Sequence, residues 1–154
     1  MTMTIASNQQ GYRLLAIVRG DEDDLERQYA PITAAFVVAK CDSKFLLGFN
    51  RHRNQWEAPA GRIEEGETAR ACATREFHEE ACQVAHELRF ECLAEMLRPT
   101  GERKFTAVYS TLLLELAEFR ENPEWVRITL WNFSCFIGDI DEVDLAILRS
   151  VASA

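Results

Sequence analysis

No apolar run in this chain approaches the ~20 residues that a bilayer-spanning helix needs, so the sequence predicts no membrane segment. Its opening stretch, Met1–Gln10, lacks the basic and then apolar layout of a signal peptide, and a cytoplasmic location is the expectation. Cysteine is sparse and unpatterned. Cys41, Cys72, Cys82, Cys92 and Cys135 are odd in number and contain no C-x-x-C spacing. That counts against a disulfide framework or a zinc cluster and points to buried reduced thiols. Positive charge is also short: 17 Lys and Arg face 25 Asp and Glu, a net charge of −8. A nucleic-acid backbone needs a basic footprint and is therefore not an expected partner. A small anionic substrate stays open, because a cation held in the site can neutralise phosphates locally.

What is present suffices for one domain. The 154 residues, 47% of them apolar and 27% charged, can bury a core of ordinary size. With no repeat, low-complexity tract or linker, the sequence predicts a single domain over residues 11–154 behind a flexible segment 1–10. Tyr12–Val18 reads as a first strand, and the acidic run Asp21–Asp24 after Gly20 as a solvated loop. Thr33–Lys40 reads as a strand, Asp42-Ser43 as a turn and Lys44–Phe49 as the returning hairpin partner. Asn50–Asn54 is a polar loop whose Arg51 and Arg53 are candidate phosphate contacts, and Trp56 is expected to pack. Pro59, Ala60 and Gly61 read as a turn. Glu87–Leu97, Lys104–Leu116 and Glu124–Phe133 read as later strands, and Ile140–Val151 carries apolar residues at helical spacing. Strands on both sides of a helix, with a second helix at the end, predict an α/β/α sandwich around a mixed β-sheet.

The most informative stretch runs from Gly61 to Gln83. Thr68 is placed to cap a helix, and Ala69, Ala73, Phe77 and Ala81 recur every four residues as its buried stripe. Glu76, Glu79 and Glu80 stand at i, i+3 and i+4, so their carboxylates project from one face. Like charges at that spacing repel by roughly 0.2–0.5 kcal/mol per pair. A divalent cation reverses that sign, and hard ions such as Mg2+ favour carboxylate oxygens. His78 falls on the opposite face and is expected to be exposed.

This stretch resembles the Nudix box, G-x5-E-x7-R-E-U-x-E-E-x-G-U, in which U is a bulky aliphatic residue. Gly61, Glu67, Arg75, Glu76, Glu79 and Glu80 match, Phe77 takes a bulky apolar place, and Trp56-Glu57-Ala58-Pro59-Ala60 resembles the usual lead-in. Two places depart, with Cys82 where the pattern has Gly and Gln83 where it has an aliphatic residue. The resemblance implies the Nudix fold and Mg2+- or Mn2+-dependent hydrolysis of a nucleoside diphosphate linked to another group X. It implies a small-molecule nucleotide as partner, and a homodimer is an option. Its implied metal ligands are Glu76, Glu79, Glu80 and the carbonyl of Ala60. Gly61, Glu67 and Arg75 take structural roles, with Arg75 pairing to Glu67 to hold the loop on the helix.

The carboxylate that activates water is expected to be Glu79 or Glu76, or a glutamate on a later loop. Glu124 is the first such candidate, and Glu118 and Glu121 stay open. Arg51, Arg53 and Arg62 are the substrate-binding candidates. Pro59-Ala60-Gly61 with Pro99 leans toward ADP-ribose or a nucleotide sugar, and a nucleoside triphosphate is the rival. The alternative is a catalytically weak Nudix domain that serves as a nucleotide-binding or regulatory module. If the position of Cys82 needs a left-handed conformation at the helix end, a β-carbon there costs on the order of 1 kcal/mol, and a slightly altered helix end with a working site is the expectation.

Overall fold

The computed structural model describes residues 3–154; Met1 and Thr2 lie outside the described residues. Its strands are β1 (Ala6–Ser7), β2 (Arg13–Val18), β3 (Ala34–Cys41), β4 (Lys44–Asn50), β5 (Gln55–Glu57), β6 (Ala60–Arg62), β7 (Arg89–Leu97), β8 (Arg103–Leu113) and β9 (Trp125–Trp131). They form one mixed sheet in the order β1-β2-β7-β8-β3-β4-β5, with β6 also pairing to β3 and β9 to β4. Neighbours run antiparallel except β3 and β8, which are parallel from Ala34 opposite Thr106 to Cys41 opposite Leu113.

Helices α1 (Glu22–Gln28) and α2 (Ala69–Ala81) cover one face of the sheet, and α3 (Glu142–Ala152) covers the other. The chain is therefore an α/β/α sandwich. Strand β3 shows why its sequence has no polar alternation: Ala35, Val37 and Ala39 face Leu25, Cys72 and Phe77, while Phe36 and Val38 face Ile147 and Leu148. A strand buried on both faces reads as a continuous apolar run. No helix among the described residues is long and apolar enough to cross a membrane. Cys41, Cys72 and Cys92 are buried free thiols.

Three local expectations change. The acidic run is not a loop but the start of α1. The Asp21 carboxylate accepts from the N–H groups of Asp23 (3.0 Å) and Asp24 (3.2 Å). Glu22, Asp23 and Asp24 then occupy the first turn, where negative charge complements the helix dipole. Buried Leu25 fixes the helix to the core, and Arg70 clamps Glu22 at 2.7 and 2.9 Å to tie α1 to α2. The segment expected to be loose also contributes structure, since Ala6 and Ser7 pair with Leu14 and Arg13. Finally, the turn expected around Pro59 carries β5 before it and β6 from Ala60, and β6 lies antiparallel on β3.

Candidate active site

Helix α2 begins and ends as its sequence dictates. Thr68 accepts the Ala71 N–H at 3.0 Å, and Cys82 closes the helix in the left-handed region (φ 61°, ψ 24°) with its N–H on the His78 carbonyl. Between these caps, Ala69, Ala73, Phe77 and Ala81 are buried and His78 is exposed. Gly61 is required by contact rather than by turn geometry. A β-carbon there would lie 2.2 Å from the Glu76 carboxyl carbon, so only glycine lets β6 approach α2 this closely.

Arg75 organises the acidic face. Its Nε and one terminal nitrogen grip Glu67 at 2.7 and 2.9 Å, and the same terminal nitrogen reaches the Arg62 carbonyl at 3.1 Å. The other terminal nitrogen donates to Glu76 at 2.9 Å and Glu79 at 3.2 Å. A planar fork satisfies this geometry where an ammonium would not. Those hydrogen bonds, with one from the Glu64 N–H, lower the Glu67 carboxyl to about 2, and the same pairing raises the Arg75 guanidinium. Glu76 is shifted upward, chiefly by burial.

The carboxylates do not converge as the helix pattern alone implied. Glu80 is buried and accepts the Ala60 N–H at 2.9 Å. Glu79 is largely exposed, and among the described residues its side chain pairs with Arg75 alone. The close cluster consists of Glu57, Glu80 and Glu124, each offering an oxygen within 4.8 Å of the others. Burial comes first, and then the hydrogen bond with Glu124, in pushing the Glu80 carboxyl up to about 11.

Glu57 escapes the sequence reading as a site residue, although an acid between Trp56 and Ala58 in an apolar lead-in is a visible signal. It is buried on β5, where its Oε1 accepts from Asn50 and from the Trp125 indole (2.9 Å each) and its Oε2 from Arg53 at 2.8 Å. Gly48, opposite Glu57 on β4, leaves room for that indole; a β-carbon there would meet the Trp125 ring at 2.0 Å. Trp56 itself is packing, edge-on to Phe49 at 5.2 Å.

Glu124 arrives from the loop that follows β8, and the two departures from the box hold that loop. The Gln83 amide is buried, donating to the carbonyls of Ala81 (3.1 Å) and Ala117 (3.0 Å) and accepting the Ala117 N–H at 2.8 Å. The Cys82 sulfur accepts the Arg120 N–H at 3.4 Å. Asn122 then donates to the Glu80 carbonyl at 2.8 Å and accepts from the Glu124 and Trp125 N–H groups. Glu121 turns away to Arg51, at 2.5 Å, and Glu118 is exposed.

A cleft of about 490 Å3 opens beside this cluster, bordered by Ala60, Gly61, Glu57, Glu80 and Glu124. Arg53 and Arg62 line it, whereas Arg51 does not. Arg98, Lys104 and Asp144, none of them singled out in the sequence, also line it. Asp144 accepts the Ala58 N–H at 3.0 Å and is held well above the ordinary range by burial and then by Asp141. Three carboxylates grouped this closely and partly buried, with Arg53 on Glu57 as their one cationic partner among the described residues, suit a hard divalent cation.

A family profile described as NUDIX domain matches residues 30–130. The chain belongs to the NUDIX domain family. No curated protein matches it in sequence. Among solved structures, it resembles a mutant form of the pyrophosphohydrolase BsRppH of Bacillus subtilis with a TM-score of 0.75 and 15% identity, over 96% of this chain and 94% of that one. A MutT NUDIX hydrolase from Burkholderia pseudomallei gives 0.66 and 15%, over 77% and 95% of the two chains. The NUDIX domain of Shewanella oneidensis NrtR, solved with ADP ribose, gives 0.66 and 16%, over 87% and 98%. At such identities these likenesses establish the fold.

Proposed function

We propose that the protein hydrolyses the pyrophosphate bond of a nucleoside diphosphate linked to another group, with Mg2+ or Mn2+ as cofactor. The observation that carries this reading is the close cluster of Glu57, Glu80 and Glu124 at the wall of a cleft that also holds Arg53 and Arg62. Glu80, Glu57 and Glu76 are the ligands best placed to hold the cation, with the Ala60 carbonyl and Glu79 completing the set. Such a cation supplies charge neutralisation and positioning to the phosphate oxygens.

The remaining work falls to the chain itself. Arg75 fixes Glu76 against Gly61, so the acidic face is ordered before substrate arrives. Arg53, anchored on Glu57, and Arg62 orient the phosphates. Glu124 is exposed at the mouth of the cluster and is the carboxylate placed to take a proton from the attacking water. The oxygen of that water bonds to phosphorus as the bridging P–O bond breaks, and the departing phosphate carries away the electron pair. Glu79, engaged with Arg75 on the outer side, is less suited to that task.

The test is product release from ADP-ribose, sugar nucleotides, nucleoside triphosphates and dinucleoside polyphosphates, with and without Mg2+ or Mn2+. Wild type should turn over at least one class in a metal-dependent manner, and Glu80→Gln and Glu124→Gln should each lose 10²-fold or more. Tight nucleotide binding without turnover would replace the hydrolase with a binding module.

A further inference from the structure

Three cations in this acidic chain converge on the cleft without being neutralised. Arg62 and Lys104 form no ion pair among the described residues, and Arg98 only approaches exposed Glu102 at 4.0 Å. The Nε of Arg98 is buried with no hydrogen-bond partner. Lys104 lies 5.5 Å from the Tyr12 ring centre, and its ammonium is shifted downward by burial and then by Arg98 and Arg62. Asp144 is the carboxylate that opposes this effect, and it is itself displaced toward its neutral form. Like charges gathered in a partly dry cleft repel one another, an arrangement that an anion would relieve.

The floor beneath them carries a buried polar group with no partner among the described residues. Thr106 lines the cleft, is 2% exposed, and its hydroxyl has no partner. A buried hydroxyl left without a hydrogen bond forfeits its hydration with nothing in return. Sheet register places it between the cations. Arg62 on β6 lies opposite Ala34 on β3, which lies opposite Thr106 on β8. Lys104 follows two residues away on the same face, opposite Met96. Ala60, whose N–H binds Glu80, stands one row back, opposite Phe36. Arg62 and Lys104 are thus displaced from Ala60 by two and four residues along the strands, about 7 and 13 Å at strand rise, while Arg98, whose N–H bonds the Glu102 carbonyl, starts about 20 Å along at the same rise and reaches the cleft with its side chain.

We propose that Arg62, Arg98, Lys104 and the Thr106 hydroxyl form a subsite for a phosphate beyond the pyrophosphate under attack, so that the enzyme selects a chain of three or more phosphates over a nucleotide sugar. This rests on the hydrolase reading above and narrows its substrate class. A nucleotide sugar places a neutral ring where a triphosphate places a further dianion, and only the latter satisfies guanidinium, ammonium and hydroxyl donors together.

The experiment is calorimetric titration in Mg2+ with a fully methylene-bridged triphosphate and with methylene diphosphonate, neither of which can be hydrolysed at its bridges. Wild type should bind the triphosphate analogue at least 10-fold more tightly than the diphosphonate. Lys104→Met and Arg98→Gln should each remove most of that difference while leaving diphosphonate affinity within about threefold. Arg98 is on a hairpin turn, so its variant keeps the test valid if Lys104→Met fails to fold. Equal affinity for the two analogues, no binding of either by wild type, or folded variants that discriminate as wild type does would each overturn the subsite. Discrimination retained by a protein that hydrolyses nothing would instead sink the hydrolase reading and leave the subsite standing.

Discussion

Replacing Gln83 with leucine restores the aliphatic residue usual at that place in the box, and the structure predicts that it harms this protein. The side chain is 1% exposed and makes three hydrogen bonds, to the Ala81 carbonyl and to both backbone groups of Ala117. At about 0.5–1.5 kcal/mol each, their loss amounts to roughly 1.5–4.5 kcal/mol. The apolar surface of leucine offsets part of this, and Ala117 can turn to water once released. A net loss of about 1–3 kcal/mol follows, concentrated in local opening of the 117–124 loop rather than in the sandwich. Because that loop carries Glu124, kcat should fall at least 10-fold, on the ground that misplacement by 1 Å can cost 10²-fold. Urea unfolding, hydrogen exchange at residues 117–122 and metal-dependent turnover together check this. Wild-type exchange and wild-type kcat in Gln83→Leu would refute the claim that the departures from the box position the loop.

Other outcomes follow from the same geometry. Gly61→Ala should lower kcat by 10²-fold or more with little change in Tm, because the new methyl must displace the Glu76 carboxyl; kinetics beside a thermal melt checks it. Arg75→Lys keeps the charge but loses the fork, so Glu67 should titrate nearer its ordinary value than the native value of about 2, as carbon-detected NMR would show. Glu80 carries a pH prediction. Its carboxyl is raised from 4.5 to about 11, so its contribution to stability is present below the ordinary value and is lost as pH rises through the folded one. Metal-free protein should therefore lose stability over that window, and Glu80→Gln should gain about 3 kcal/mol at pH 7 in the absence of metal. Mg2+ should bind more tightly as pH rises, since it must displace that proton; a pH series of melts with and without Mg2+ checks both statements.

The fold was legible where periodicity and burial agree. The continuous apolar run of β3, the four-residue stripe of α2 and the spacing in α3 all correspond to elements found in the structure. The acidic run before Leu25 misleads because charge alone suggests solvent, whereas an aspartate cap followed by first-turn acids is a helix start. The site was half legible. A local motif reports residues that share one helix, and so it offered Glu76, Glu79 and Glu80 together. The cluster instead joins Glu80 to Glu57 and Glu124, brought together by strand register and by a docked loop, which no spacing rule along a single helix can encode. Arg98 and Lys104 were hidden for a similar reason, since each is an ordinary charge near a hairpin until the sheet aligns it with Arg62.

The parallel pairing of β3 with β8 governs the order in which this enzyme can come into being. Its partners, Ala34 and Thr106, are roughly 70 residues apart, so the loop-closure cost is met late and folding is slowed accordingly. A growing chain that has not yet supplied β8 leaves β3 open along one side, with seven of its eight residues destined for burial. Such an open apolar strand is a template for wrong pairing with other chains. Glu124 is made later still, so under the proposed function the ability to grip a cation would be among the last properties the protein acquires. Metal-induced stabilisation would then be a gauge of completed folding, and a nascent or truncated chain that ends before β8 should aggregate rather than bind.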